Sequence, residues 1–502
     1  MTAARVSALA TLLAALLCPA LRAADPPKEK EPDEISYYRH VRPIFQQHCQ
    51  GCHQPAKPGG SYVMISYADL LKPGEKGFKP VVAGKTDESF LIDQILPRED
   101  GKPPLMPKNA QPLPDRDVNI IKKWIVQGAK DDTPAAALQV VDVDHPPVYE
   151  QPPVITTLAY SPDSTLLAVS GYHEVLLYKA DGSELVARLI GLSERVQSIA
   201  FSPDGKSLAV AGGSPCRFGE IQIWDVEKKK LSLSLSVTFD TVYGVSWSPD
   251  GSKIAFGCAD NTVRAIQAED GKQILYQGAH NDWVLETVFS KDASHVVSVS
   301  RDRSMKLTEV ATQRFIDNIT SITPGALKGG LLTVDRHPYS DELLIGGADG
   351  VPKIYKMYRD KKRVIGDDFN FLRSFAEMPG RIFSAKYNHD GTRIIVGSSL
   401  DGTGEVRVYE AASKPDMQMV ALSALVQQPS RGLSNVLLLP SLQTSGRQIC
   451  KLEGEHGPVY AVAYRPDGKQ VASGGFDGKV RLNDPDTGKL IKEFVPAPMA
   501  KK

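Results

Sequence analysis

The chain of 502 residues lacks several features that mark specialised classes of protein. It carries no net formal charge, because 59 Lys and Arg balance 59 Asp and Glu, and this balance gives no sign of a surface for nucleic acid or anionic lipid. After the first 24 residues no stretch is apolar for long enough to cross a bilayer. With 42% hydrophobic and 24% charged residues, the composition is that of a globular protein, and the length predicts more than one domain.

The amino terminus holds the one long apolar run of the chain. Arg5 precedes the apolar residues 8–17, small residues follow, and Asp25 begins a polar stretch that contains prolines. Basic, then apolar, then small residues are the pattern of a secretory signal peptide. We therefore expect residues 1–23 to be a signal peptide, a polar linker to follow at 24–35, and the mature protein to be exported to the periplasm or another extracytoplasmic surface.

Cysteine is also scarce. Six cysteines occur, and Cys18 falls within the predicted signal peptide. Three more are widely spaced single cysteines for which a buried, apolar role is expected: Cys216, Cys258 and Cys450. The remaining two, Cys49 and Cys52, are followed by His53 in the sequence Cys-Gln-Gly-Cys-His.

Two cysteines three positions apart, followed at once by histidine, are the attachment pattern of a c-type haem. One helical turn between Cys49 and Cys52 brings both sulfurs within reach of the two vinyl groups of one porphyrin, and His53 then supplies the proximal iron ligand. A thioredoxin-like pair would need a βαβ context that is missing, and a zinc site would need two more ligands, whereas a structural disulfide stays open. The motif occurs once, so we expect one covalently bound haem c.

The distal iron ligand must come from elsewhere in the chain. Methionine is expected in a haem that transfers electrons, because its thioether raises the reduction potential. Met106 lies in the loop 102–108, which contains three prolines and therefore has little conformational entropy to lose when it holds the thioether in place. Met64 competes with it from a strand-like segment, and His40 and His48 are weaker candidates. We predict that Met106 is the distal ligand.

The residues around the motif predict a small helical domain. Apolar side chains precede it at helical spacing: Ile35, Tyr38, Val41 and Phe45. Pro43 either interrupts this helix or lies in the first turn of a second one. A last helix is expected to begin at Asp115 or Asp117 and to end at Gly128, with Trp124 packed in the core against the first helix.

Taken together, residues of roughly 36–132 resemble the planctomycete-type cytochrome c domain. The matching segments follow its order: Arg42-Pro43-Ile44, Cys49 to His53, Gly84 to Leu91, Met106-Pro107 and Trp124-Ile125. Lys108 stands where the family more often has a second proline. The resemblance implies a small all-α fold and electron transfer by one covalent haem, with Cys49, Cys52 and His53 attaching it and Met106 as the distal ligand.

Beyond a proline-rich linker at 133–153 the sequence repeats itself. Short turn sequences recur between stretches of alternating apolar residues: Ser161-Pro162-Asp163, Ser202-Pro203-Asp204-Gly205, Ser248-Pro249-Asp250-Gly251, Ser290-Lys291-Asp292, His389-Asp390-Gly391 and Pro466-Asp467-Gly468. The first four are 41 to 46 residues apart, which is the period of a four-stranded propeller blade. Trp224-Asp225 is a full Trp-Asp dipeptide, and His280 and His456 precede the first strands of later repeats.

These repeats resemble WD-repeat proteins, which implies an all-β, seven-bladed propeller over residues 154–497 that binds other proteins. We delimit seven units at about 154–190, 195–237, 241–279, 283–323, 328–377, 380–453 and 457–496, with an insertion at 411–446 in the sixth. The histidines of the repeats form no cluster along the chain, so structural roles are expected for them: His173, His280, His295, His337, His389 and His456.

The sequence thus predicts an exported mono-haem cytochrome that is not an enzyme, with the propeller as a docking platform for redox partners of unknown identity. Two alternatives stay open. One is a redox enzyme with a second cofactor in the funnel of the propeller, and the other is a ligand-binding propeller with a haem that senses redox state.

Overall fold

The computed structural model describes residues 33–54, 57–98, 101–108, 111–134, 141–215, 217–321, 328–364, 367–412, 446–454 and 457–500. Several features predicted from the sequence lie outside these residues: the signal peptide at 1–23, nearly all of the polar linker, the part of the insertion at 413–445, Cys18, Cys216 and His456. The described protein is mostly β, with a few helices near its amino end. In these residues no helix is long and apolar enough to span a membrane.

The amino-terminal region is mainly helical, as expected, but it is not purely α. Its helical elements are a π-helical turn at Tyr37–Val41, α1 (Arg42–His48), a 3-10 turn at Gly59–Ser61, α2 (Tyr67–Leu70), α3 (Phe90–Ile95) and α4 (Asp115–Val126). A short antiparallel ladder, β1 (His53–Gln54) with β2 (Lys57–Pro58), directly follows the two cysteines.

The π-helical turn changes which aromatic side chain enters the core. Val41 N donates to Ser36 O over 3.3 Å, a bond that spans five residues instead of four. This extra residue rotates the preceding segment, so Tyr37 is buried and Tyr38 is only half-buried, whereas the helical spacing predicted Tyr38. Pro43 lies in the first turn of α1, where its missing N–H costs no hydrogen bond.

The core of this region is centred on α4. Trp124 is fully buried, and its ring centroid lies 5.4 Å from that of Tyr37, so it packs against the first helical segment as predicted. The indole Nε1 donates to Lys130 O over 2.9 Å. Gly128 follows the helix with φ +94°, a conformation that favours glycine.

The remaining strands are antiparallel to their neighbours and follow chain order within each sheet. The first sheet has seven strands: β3 (Leu158–Tyr160), β4 (Leu166–Ser170), β5 (Tyr172–Lys179), β6 (Leu185–Phe201), β7 (Ser207–Ser214), β8 (Phe218–Asp225) and β9 (Lys230–Thr238). Two four-stranded sheets follow: β10 (Val242–Trp247), β11 (Lys253–Cys258), β12 (Val263–Gln267), β13 (Gln273–Gln277); and β14 (Val284–Phe289), β15 (His295–Ser300), β16 (Met305–Glu309), β17 (Phe315–Asn318).

Three further four-stranded sheets complete the β region. Their strands are β18 (Leu331–Arg336), β19 (Glu342–Gly347), β20 (Lys353–Lys356), β21 (Phe371–Ser374); β22 (Arg381–Tyr387), β23 (Arg393–Leu400), β24 (Thr403–Glu410), β25 (Gln448–Lys451); and β26 (Val459–Tyr464), β27 (Val471–Gly475), β28 (Val480–Asn483), β29 (Leu490–Phe494).

The seven-stranded sheet consists of two four-stranded repeats that share β6. The early part of β6 pairs with β5 and its later part pairs with β7. The first strands of successive repeats pack against each other in the order β3, β6, β10, β14, β18, β22 and β26, and β26 packs on β3. Ile155 N donates to Gly475 O over 2.9 Å where the last repeat meets the first.

The recurring turn sequences join the first and second strands of the repeats. Ser202 Oγ donates to Asp204 Oδ1 over 2.6 Å, and Ser207 N donates to Ser202 Oγ over 2.9 Å. Gly205 has φ +72°, and its N–H closes the turn on Ser202 O. The same Ser-to-Asp bond recurs at other turns: Ser161–Asp163, Ser248–Asp250 and Ser290–Asp292. This serine and aspartate satisfy backbone groups locally, which explains their recurrence.

Candidate haem site

The Cys-Gln-Gly-Cys-His motif forms a tight turn at the end of α1. Cys49 N donates to Phe45 O over 2.9 Å, which continues the helical bonding by one residue. Cys52 N and His53 N then both donate to Cys49 O over 3.1 Å. Cys49 is half-buried and Cys52 is exposed. The turn therefore holds both thiols and the imidazole within five consecutive residues, with at least one thiol open to solvent.

The imidazole of His53 is held in place by Tyr62. Its Nδ1 lies 3.3 Å from Tyr62 O, and its ring packs edge-on against the Tyr62 ring at 5.4 Å between centroids. A histidine that ligates a metal commonly donates its other ring N–H to a carbonyl, and the contact of Nδ1 with Tyr62 O is of this kind. Burial lowers the pKa of His53, which favours the neutral, ligating form. A Cβ at position 59 would lie 2.9 Å from Cys52 O and 3.6 Å from the His53 ring, so Gly59 leaves room beside the turn.

The thiol of Cys49 does not have the lowered pKa of a redox-active thiol. Burial raises the pKa of Cys49 to about 12, and the nearby Cys52 adds to this effect. Thioredoxin-like pairs work through a thiolate whose pKa is lowered. Both thiols are free, and the described residues contain no group of three or more His, Cys, Asp or Glu side chains that could hold a metal ion. The raised pKa of Cys49 is the opposite of what a dithiol reductase requires.

Met106 lies close to the same apolar cluster as the attachment turn. It is half-buried, and both Met106 and Cys49 pack against the buried core of the helical region. Met106 N donates to Gln94 O over 2.9 Å, which ties its loop to α3. The flanking Leu105 is 45% exposed. Met106 is thus anchored by its backbone beside the core, with its side chain at the boundary between core and solvent.

The other candidate ligands lie in different surroundings. Met64 is 2% exposed, and its N–H donates to His53 O over 2.9 Å in irregular backbone instead of the strand predicted for this segment. His40 Nδ1 accepts a hydrogen bond from Ser36 N over 2.9 Å, and His48 Nε2 lies 4.0 Å from Asp117 Oδ2. Met106 remains the predicted distal ligand.

The attachment turn contacts the β region, which no sequence pattern predicted. Gln54, next to His53, is 1% exposed, and its Nε2 donates to Ser234 Oγ on β9 over 3.1 Å. A Cβ at Gly51 would lie 3.4 Å from Ser234 O. The backbone of the turn therefore lies directly against the outer strand of the second repeat. In the sequence Gln54 looks like an ordinary polar residue, so no pattern there identifies Ser234 as its partner.

Among the histidines of the repeats, His280 has a hydrogen-bond partner on each of its two ring nitrogens. His280 is buried, with Nε2 at 2.8 Å from Ser298 Oγ and Nδ1 at 3.0 Å from Asp302 Oδ2. Ser304 Oγ donates to Asp302 Oδ1 over 2.6 Å. Burial alone would raise the pKa of Asp302, but the hydrogen bonds from His280 and Ser304 outweigh it and hold this pKa well below its usual value.

We expect Asp302→Ala to lower the free energy of unfolding by about 1.5–3 kcal/mol, because it leaves the buried His280 without its charged partner. The lowered pKa means that Asp302 stabilises the fold at neutral pH and that this contribution is lost as the pH falls below the usual Asp range. Stability measured against pH should therefore decline less on the acid side in the variant than in the wild type.

The control for this variant is Asp486→Ala. Asp486 is 65% exposed and pairs with Arg393 over 2.6 Å, so its loss should cost less than about 1 kcal/mol. Equal losses in the two variants would show that the His280–Asp302 contact has no special weight.

Models of known families match both the helical region and the strand-rich region of the chain. A model described as Planctomycete cytochrome C matches residues 49–109. Models of the WD domain, G-beta repeat match residues 230–265 and 446–484, and the Anaphase-promoting complex subunit 4 WD40 domain matches 158–242. The chain joins a planctomycete cytochrome C domain to WD40 repeats. The resemblances noted in the sequence are confirmed.

Curated relatives match through the repeats. The chain is similar to Periodic tryptophan protein 2 homolog of Mus musculus, with 22% identity over 57% of this chain and 33% of that protein. It is 23% identical to Eukaryotic translation initiation factor 3 subunit I of Lodderomyces elongisporus, over 68% of this chain and 81% of that protein. WD repeat-containing protein VIP3 of Arabidopsis thaliana is 31% identical over 27% of this chain and 46% of that protein. The chain spans about a third of the periodic tryptophan proteins that it matches.

Proposed function

We propose that this protein is an exported mono-haem c-type cytochrome that transfers electrons and is not itself an enzyme. The observation that carries the proposal is the attachment turn at 49–53, in which His53 Nδ1 contacts Tyr62 O. The other ring nitrogen, Nε2, would bind the iron. Cys49 and Cys52 would form the two thioether bonds. A haem held there supplies a one-electron iron couple.

The chain's own residues hold and shield this group. His53 orients the proximal face, and the carbonyl of Tyr62 fixes the ring. Met106, anchored to Gln94 through its backbone, would close the distal face. With ligands on both faces, small molecules would be kept from the iron, which favours electron transfer over catalysis at the haem.

The WD repeats would form the docking platform of this cytochrome. We propose that they close a seven-bladed propeller, since seven first strands pack in cyclic order and β26 meets β3. Propellers of this kind offer a rigid surface to other proteins, so redox partners would bind there. Residues 1–23 would direct the chain out of the cytoplasm, where cysteines and haem can be joined.

The first test is the absorbance spectrum of the exported, purified protein, oxidised and reduced, with haem counted per chain. One covalent low-spin haem per chain is the expected result. High-spin iron, or no haem at all, would overturn the electron-transfer proposal. Additional bands from a non-c cofactor would instead favour the alternative of a redox enzyme with a second site in the repeats.

A further inference from the structure

A buried chain of hydrogen bonds connects the attachment turn to the interior of the second repeat. Gln54 Nε2 donates to Ser234 Oγ over 3.1 Å, and Ser234 Oγ in turn donates to Glu220 Oε1. All three side chains are buried, with exposed fractions of 1% for Gln54, 1% for Ser234 and 1% for Glu220. The residue next to the predicted proximal ligand is thus linked to an acidic group inside the repeats by two hydrogen bonds.

The carboxylate of Glu220 is buried among neutral hydrogen-bonding side chains. Its second oxygen accepts hydrogen bonds from Ser193 Oγ over 2.7 Å and Gln222 Nε2 over 2.8 Å. Gln222 is itself held in place by Trp224 Nε1, which donates to Gln222 Oε1 over 2.9 Å. Each carboxylate oxygen of Glu220 thus has at least one neutral side-chain donor within hydrogen-bond distance, and hydrogen bonds of this kind favour the charged form of a carboxylate.

A buried negative charge acts on a nearby redox centre over a longer range than a surface charge does, because low-dielectric surroundings screen it weakly. The ferric haem carries one more positive charge than the ferrous haem, so an anion behind the attachment turn stabilises the ferric form. The hydrogen bonds through Ser234 and Gln54 keep the turn against this anion.

We propose that the second WD repeat is part of the haem site: Glu220 lowers the reduction potential of the haem, and Ser234 with Gln54 positions the attachment turn over it. This inference rests on the proposed haem function. Glu220 and Ser234 are positioning and electrostatic residues, since neither touches the iron ligands directly. The redox properties of the haem domain would then depend on its being docked on the repeats.

The test is the reduction potential of the full-length holoprotein carrying Glu220→Gln. Loss of the negative charge should destabilise the ferric form, so the ferric-to-ferrous ratio at fixed ambient potential should fall about tenfold, which corresponds to a rise of about 59 mV for one electron. The matched control is Glu286→Gln in the fourth repeat, where Glu286 pairs with Lys386 over 2.6 Å, and this control should leave the potential unchanged. An unchanged potential in Glu220→Gln, or equal shifts in both variants, would overturn the proposal.

A second variant separates charge from position and uses a readout that does not depend on haem. Ser234→Ala keeps Glu220 but removes the link to Gln54, so we expect faster amide hydrogen exchange at residues 50–54 and on β9, with a smaller change of potential. Unchanged exchange would contradict the positioning role. If the wild type carries no haem, the proposed function fails; if it carries haem and Glu220→Gln leaves the potential unchanged, only this inference fails.

Discussion

Replacing Cys49 and Cys52 together by alanine should abolish covalent haem attachment while leaving the WD repeats folded. Each thioether bond needs one of these sulfurs, and Cys258 and Cys450, the other described cysteines, lie far along the chain in β11 and β25. The measurement is the haem that stays with the polypeptide after denaturation, determined by mass and by absorbance. The expected change is from one haem per chain to none.

Single variants and a control make this test specific. Cys49→Ala and Cys52→Ala should each retain at most one thioether bond and attach haem poorly. Cys258→Ala removes a fully buried thiol from β11, so it should lower stability while leaving the haem content unchanged. Covalent haem in the double variant would contradict the assignment of the attachment residues.

The attachment motif and the repeats could be predicted because each depends on contacts between residues that are close together in the sequence. Cys49, Cys52 and His53 lie within one turn, so the distances between their side chains depend only on the backbone of five consecutive residues. The recurring Ser-Pro-Asp-Gly turns likewise satisfy their own hydrogen bonds, as Ser202 and Asp204 do. Turns that recur at a regular spacing predict a series of sheets, even when the contacts between those sheets are unknown.

Other features depend on contacts that no local pattern contains. The π-helical turn at Tyr37–Val41 shifts the buried face by one residue, so the helical periodicity selected the wrong tyrosine. Gln54 meets Ser234 across 180 residues of chain. A buried glutamine or glutamate looks like a surface residue in sequence, because polar side chains are buried only when distant partners satisfy them.

The distal ligand is the site residue on which the proposed mechanism depends most, and it can be tested against its competitor. Met106→Ala should lower the reduction potential on the order of 0.1 V, a part of the range of about 0.8 V that axial ligands span, because a thioether favours ferrous iron. The protein should stay folded, since Met106 is only half-buried and its loop is tied to Gln94 through the backbone. Potentiometric titration of the haem absorbance measures the change.

Met64→Leu is the matched control, because it removes the other thioether while nearly conserving volume at a site that is 2% exposed. If Met106 is the ligand, Met64→Leu should leave the potential near that of the wild type and cost less than about 1.5 kcal/mol in stability. The reverse pattern, with a potential that falls only in Met64→Leu, would assign the ligand to Met64. Unchanged potentials in both variants would leave the distal face without methionine, and the argument that ligation on both faces favours electron transfer over catalysis would then fail.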